Sequence, residues 1–219
     1  KNFTLTTKGS DSLTATSPST APTKGYFQAL IDEIPVSGTS VWTDTLSAGG
    51  NGFANYCIRQ ILQSNNISSS GNKCRLTIQG TISSASANSI IDNISIGERS
   101  GQSLSTVNTP VEVLIGGSSG INFKDISVTT DWIDFPIDAS KDYLVNFDLG
   151  SSGGSCSVRQ NSSGDNGAYV LANTNAYNTI NMGSATESSL SGNEARTYFV
   201  TKLEVAVDPT INTDYIAEM

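Results

Sequence analysis

The sequence predicts an all-β protein, a jelly-roll-like antiparallel β-sandwich with an extended N-terminal arm. Three observations predict it. Short runs alternate apolar and polar residues with a period of two. Turn residues, above all glycine clusters, interrupt these runs at sandwich-like intervals. No long stretch keeps the 3.6-residue period of an amphipathic helix. A chain of 219 residues is long enough to bury the core of one such domain. The runs divide it into an arm over residues 1–25, a sandwich over 26–207 and a tail over 208–219. An immunoglobulin-type sandwich is the alternative, although it normally has fewer strands than the eight to ten counted here.

In chain order, the arm begins with an alternating strand at residues 2–7, and Pro18 and Pro22 bracket a Ser/Thr linker. A strand alone on a tether is marginally stable, so it is expected to join a sheet edge, its own or a neighbour's. Residues 26–34 are apolar enough to start the core, and Pro35 stops them. The next run, 41–46, closes at the Ala48-Gly49-Gly50-Asn51-Gly52 turn. Residues 53–62 and 73–80 read as a hairpin, the second strand setting Cys74, Leu76 and Ile78 against Arg75, Thr77 and Gln79. After the run at 89–97 comes the central block. Val111, Val113 and Ile115 share one face. So do Ile133, Phe135 and Ile137, with Trp132 and Asp134 opposite. Tyr143, Val145, Phe147 and Leu149 form a third apolar face, which leaves Asn146 and Asp148 on the solvent side. Residues 150–192 are irregular and rich in Gly, Ser and Asn. The last strand, 198–207, puts Leu203, Val205 and Val207 on one face, and Asp208-Pro209 ends it. Ile211, Tyr215 and Met219 then recur at helical spacing, as in a short docking helix or a loosely attached tail.

Hydrophobic residues make up 37% of the chain and charged residues 15%; the remainder is mostly Ser, Thr, Asn and Gly, a polar surface suited to an extracellular or virion location. The net charge of −8, with twelve scattered basic residues, argues against nucleic acid as a partner, since phosphate binding needs clustered cations. No apolar run reaches the ~20 residues of a membrane span. The chain starts at Lys1 rather than Met, as expected of a processed product or a fragment. Cys57 and Cys74 flank the expected hairpin loop, either as a disulfide or as two small core residues, and Cys156 is the odd one left over.

There is no histidine, which removes Ser-His-Asp and Cys-His hydrolysis and every His-ligated metal site. No phosphate-binding glycine loop is present. Asp131, Asp134 and Asp138 form the only carboxylate group with a glycosidase-like grouping, and charges on turns are usually just solvated. The chain is therefore expected not to be an enzyme. No cofactor is called for, with Ca2+ as the one candidate, through loop carboxylates at Asp44, Asp92 or Asp165-Asn166. Exposed aromatics offer a binding route instead, because a sugar ring stacks on a flat aromatic face. Trp132, Trp42, Tyr169 and Tyr177 are the candidates. Sequons at Asn2, Asn66, Asn93 and Asn161 are expected by chance in so Asn- and Ser-rich a chain.

The segments FANYCIRQIL, KCRLTIQG, IIDNISIG, TPVEVLIGGSSG, DWIDFPIDASKDYLVNFDLG and FVTKLEVAV carry a resemblance over residues 53–207. They resemble a jelly-roll-like accessory module of bacteriophage tail and fibre proteins, also found beside catalytic domains of secreted bacterial carbohydrate-active enzymes and esterases. The resemblance implies a non-catalytic module for surface attachment or particle assembly and supplies no residue-level site. The expected function is a structural or adhesion subunit of an extracellular or viral assembly, of the phage tail, fibre or capsid-decoration type. Its expected partners are copies of itself or neighbouring structural proteins, and surface glycans. The alternative is a carbohydrate-binding module of a secreted polysaccharide-active enzyme.

Overall fold

The computed structural model describes residues 37–101, 103–161, 167–172, 177–180 and 197–206, and the backbone of two strands near the N-terminus. The expected strand at 26–34, Val207, the Asp165-Asn166 pair and the helical spacing of Ile211, Tyr215 and Met219 lie outside the described residues. The strands in chain order are β1 (Asn2–Thr6), β2 (Ser12–Thr16), β3 (Thr39–Thr43), β4 (Ala48–Asn51), β5 (Tyr56–Leu62), β6 (Lys73–Gln79), β7 (Ser89–Glu98) and β8 (Val111–Glu112). There follow β9 (Ile121–Phe123), β10 (Ser127–Thr129), β11 (Tyr143–Leu149), β12 (Ser157–Asn161), β13 (Ala168–Ala172), β14 (Thr197–Tyr198) and β15 (Val200–Ala206). Among the described residues the one helical element is the 3-10 turn Ser64–Asn66.

Contacts divide the chain into a unit Gly38–Ala206 and a second unit made of Lys1–Ser37 and Val207–Met219. In the second unit β1 pairs with β2 antiparallel, Phe3 opposite Ala15 and Leu5 opposite Leu13. The first strand thus finds a partner within the arm, where a lone strand was expected.

The larger unit is an all-β antiparallel sandwich. One sheet runs β13-β5-β11-β7-β8, with β9 also paired to β7; the other runs β10-β6-β15-β3; a smaller sheet, β14-β12-β4, adjoins them. The chain crosses between sheets from β5 to β6, from β6 to β7 and from β10 to β11, the jelly-roll-like habit. The alternation read from sequence fills the space between the sheets. Ile58 and Leu62 of β5, Val145 and Phe147 of β11, and Ile94 and Ile96 of β7 form one wall of a continuous apolar core. Cys74, Leu76 and Ile78 of β6 and Leu203 and Val205 of β15 form the other. Each fully buried aliphatic side chain contributes about 1.5–3 kcal/mol by leaving water.

The expected hairpin of 53–62 with 73–80 does not form. β5 pairs with β11 and β13, and β6 pairs with β10 and β15. The connection through the Ser64–Asn66 turn carries the chain across the sandwich instead. The two cysteines consequently end up in different sheets and facing different ways. Cys74 points into the main core, whereas Cys57 sits on the outer side of its sheet beneath Tyr169 and Leu171. All three cysteines are free and buried, so the Cys57–Cys74 disulfide is ruled out in this fold. Burial alone pushes the Cys74 thiol up to about 12, and burial, helped by Asp92 and opposed by a hydrogen bond with the Ile90 main chain, raises that of Cys156.

The expected solvent face of β11 is also corrected. All seven of its residues are buried, Asn146 and Asp148 included. Residues 177–180 lie over this outer face and are held there through main-chain atoms. Arg59 donates to the carbonyls of Leu104, Thr179 and Ile180, and Ser95 and Asn146 donate to the Tyr177 carbonyl. Asp148 accepts the Tyr177 N–H at 3.3 Å. Burial lowers the pKa of the Arg59 guanidinium, while the neighbouring Cys57 and Asp148 act in the opposite sense.

Candidate functional site

Trp132 reaches the outer surface of the four-stranded sheet, and its neighbours in the chain explain why. On one side, Ile133 exchanges two main-chain hydrogen bonds with Cys74, at 2.8 and 3.1 Å, and points into the core. On the other, the Asp131 N–H donates to the Leu114 carbonyl, and the Asp131 carboxylate accepts the N–H groups of Gly116 and Gly117 at 3.1 and 2.8 Å. Those two glycines have φ of 57° and 79°, the left-handed region that a side chain disfavours, so the turn aims both donors at one carboxylate. With both flanks pinned, strand alternation sends the indole outward, beside β6.

There it meets Arg75, whose guanidinium carbon lies 4.5 Å from the ring centroid, a cation–π contact worth about 0.5–2 kcal/mol. On another side the ring abuts Gly38, where an added Cβ would lie 2.6 Å from the indole. The indole is therefore half-buried, a stacked partner of Arg75 more than an open platform. Arg75 in turn reaches Glu204 through Nε at 3.0 Å and Nη2 at 3.3 Å, and Lys202 reaches the same carboxylate at 3.2 Å. Desolvation alone would raise the Glu204 pKa, but the hydrogen bonds and charges of Arg75 and Lys202 outweigh it and hold the carboxyl below its usual range. Beside this cluster the register aligns Thr129, Thr77, Lys202 and Thr43 across four strands. The outer face of this sheet therefore offers an aromatic–guanidinium stack, a carboxylate, an ammonium and a row of hydroxyls. Such groups can stack on and hydrogen-bond to a polar ligand.

The other aromatic candidates do not join Trp132. Trp42 is 3% exposed and pairs with Leu203, which turns it into the core, so it cannot stack on a ligand. The reading of β3 from composition missed this because Val41 and Trp42 are both buried, which breaks the alternation. Tyr169 and Tyr177 belong to the outer face of the opposite sheet. The Tyr169 hydroxyl accepts from Arg99 at 3.1 Å, and its ring covers Cys57. Tyr177 is anchored through its main chain as described. Its side chain is half-buried.

The three carboxylates considered for glycoside hydrolysis have separate occupations. Asp131 holds the glycine turn, Asp134 is exposed and pairs with Lys73 at 3.2 Å, and Asp138 accepts the Ser140 N–H and hydroxyl at 2.9 and 2.8 Å. Those two Ser140 hydrogen bonds lower the Asp138 pKa. Of the Ca2+ candidates, Asp92 is exposed on β7 with its carboxylate over Gly150, where a Cβ would lie 2.4 Å from Oδ1. Asp44 follows β3 and accepts from the Thr45 N–H and from Asn161. Among the described residues no three His, Cys, Asp or Glu side chains gather as a metal cluster, and no helix is long and apolar enough to cross a membrane.

Sequence reasoning missed Arg59. The available signal was a charged residue in the middle of the apolar run Cys57–Leu62, where burial on both faces of the sheet requires a partner for it. No known protein family matches the chain, and no curated protein matches it.

Proposed function

We propose that the chain is a non-catalytic structural or adhesion subunit of an extracellular or viral assembly, of the phage tail, fibre or capsid-decoration type. The observation that supports this reading is a small apolar patch at the β8 edge of the six-stranded sheet. Val107, Val111 and Ile180 are 49%, 38% and 46% exposed; among the described residues the other exposed large aliphatic is Ile126, at 53%, away from this edge between β9 and β10. Val111 pairs with Ile96 and the Val107 N–H donates to the Glu98 carbonyl, which sets both beside β7 at this edge, while Ile180 lies nearby through its carbonyl, which accepts the Thr106 N–H. Apolar groups kept in water beside an open strand edge are typical of surfaces that meet another protein. Neighbouring copies or other structural subunits are the partners this fits.

Light scattering on the full chain and on a Val107→Asp/Val111→Asp variant tests the reading. The full chain is expected to run as an oligomer and the variant at lower mass. A full chain that is monomeric at every concentration overturns it.

The Arg75–Trp132 stack beside Glu204 and Lys202 favours a second reading, a carbohydrate-binding module. Glycan-array binding that disappears in Trp132→Ala, from a chain that stays monomeric, would favour it over the first.

A further inference from the structure

We propose that Asp44 and Thr197 supply oxygens to a hard-cation site of the calcium class, on the outer face of the three-stranded sheet. This is independent of the assembly reading.

The argument starts from unmet hydrogen-bonding groups. Among the described residues, Asp44 Oδ2 and Thr197 Oγ1 are buried oxygens with no hydrogen-bond partner. Thr197 is fully buried. Buried polar atoms are almost always paired, so two such oxygens beside one residue need an explanation. That residue is Asn161. It sits directly opposite Thr197 in the β12–β14 register, which places both side chains on one face about 5 Å apart at Cβ. Its amide Nδ2 donates to Asp44 Oδ1 at 3.2 Å, which brings the carboxylate over the same face. The Asp44 N–H donates to the Thr201 carbonyl, and Asp44 Oδ1 also accepts the Thr45 N–H at 2.6 Å. The carboxylate is thus fixed through Oδ1 while Oδ2 stays free to bind. Among the described residues of β12 and β14, the charged neighbour on this face is Arg159, two residues along β12, and its Nε donates to the Leu46 carbonyl at 2.9 Å.

A carboxylate oxygen and a hydroxyl oxygen, both lacking donors, are hard ligands. Ca2+ accepts such mixed oxygen sets in irregular geometry and completes its shell with carbonyls and water, whereas Mg2+ demands a near-ideal octahedron. A cation therefore satisfies both oxygens at once.

The test titrates CaCl2, and separately MgCl2, into the EDTA-treated full chain by calorimetry and thermal unfolding. The wild type is expected to bind one Ca2+ per chain with a rise in Tm, and Mg2+ more weakly. Asp44→Asn is expected to weaken Ca2+ binding at least ~10-fold, the usual consequence of losing a charged ligand. Thr197→Val is the decisive variant, because it removes the unpaired hydroxyl at constant shape. Without Ca2+ it should be as stable as the wild type or more so, since an unpaired buried hydroxyl is lost. With Ca2+ it should gain less than the wild type does. A wild type that shows neither heat nor Tm shift, as expected if the two oxygens bind only water, overturns the proposal. So does a Ca2+ response that both variants leave unchanged, which would place the ion elsewhere.

Discussion

Glu204 is a carboxylate with 7% exposure on a sheet face, and it survives there because two cations converge on it. Its pKa is lowered on folding, so the pair contributes stability above the unfolded value, about 4.3, and that stability is lost as pH falls through the folded value. Glu204→Gln should therefore destabilise the protein at pH 7 by roughly 1–3 kcal/mol, because Arg75 and Lys202 lose a charged acceptor. The gap between variant and wild type should narrow as pH drops below about 5, where the wild-type carboxyl also becomes neutral. Urea midpoints at pH 7 and pH 3 measure this; an equal gap at both would mean that the effect is packing and not charge. The sequence showed Glu204 on the polar parity of its strand, which is correct, and nothing more. What it could not show is that Arg75, 129 positions away, would lie opposite. Asn146 and Asp148 make the same point in reverse. Alternation placed them on the solvent side, and residues 177–180 cover them. Burial of an outer face depends on a segment distant in sequence, which no local pattern reports.

At the scale of elements, the strands with clean alternation were legible: β6, β7, β11 and β15 lie within a residue or two of the expected runs. Those missed are β2, β4, β9, β10, β12 and β13, which are short or lie in Gly-, Ser- and Thr-rich chain. β4 is Ala-Gly-Gly-Asn, a turn by composition. It is a strand because packing excludes side chains there: a Cβ on Gly49 would lie 2.9 Å from Ile82, and one on Gly50 3.0 Å from Phe53. The last strand was read as one element and is two, β14 and β15, joined at Phe199. This residue has φ of 54° and lets the chain leave the three-stranded sheet for the four-stranded one. Its ring is fully buried and packs 5.2 Å from that of Phe147. Two effects then oppose each other on substitution. Phe199→Ala loses the ring, at about 3–5 kcal/mol, and keeps the backbone strain. Phe199→Gly loses the same ring and relieves about 1–2 kcal/mol of left-handed strain. Glycine should therefore be the milder substitution, the reverse of the usual order within strands, where glycine is the worse by about 0.5–1 kcal/mol. Equilibrium unfolding of both variants decides, and Ala more stable than Gly would mean that the junction relaxes out of its left-handed conformation.

For the molecule as a whole, the buried core cluster among the described residues runs from Val41 to Val205, inside Gly38–Ala206. Among the described residues the pairings of β3 to β15 are likewise internal to that unit, and β1 pairs with β2. A unit with its own core and its own backbone partners can fold by itself. A chain lacking residues 1–37 should therefore keep one cooperative thermal transition, with Tm within about 2–4 °C of the full chain at low protein concentration, the shift that about 1 kcal/mol produces at this size. Concentration then separates folding from assembly. If copies associate, the Tm of the full chain rises with protein concentration, since binding to the folded state stabilises it by mass action. Should that rise persist without residues 1–37, the association runs through the sandwich, and the exposed edge at Val107 and Val111 is the surface to alter next. Should it vanish while the low-concentration Tm holds, the arm carries the association. Loss of the cooperative transition itself would show that the sandwich does not fold without the arm, and would refute the independence of the two units.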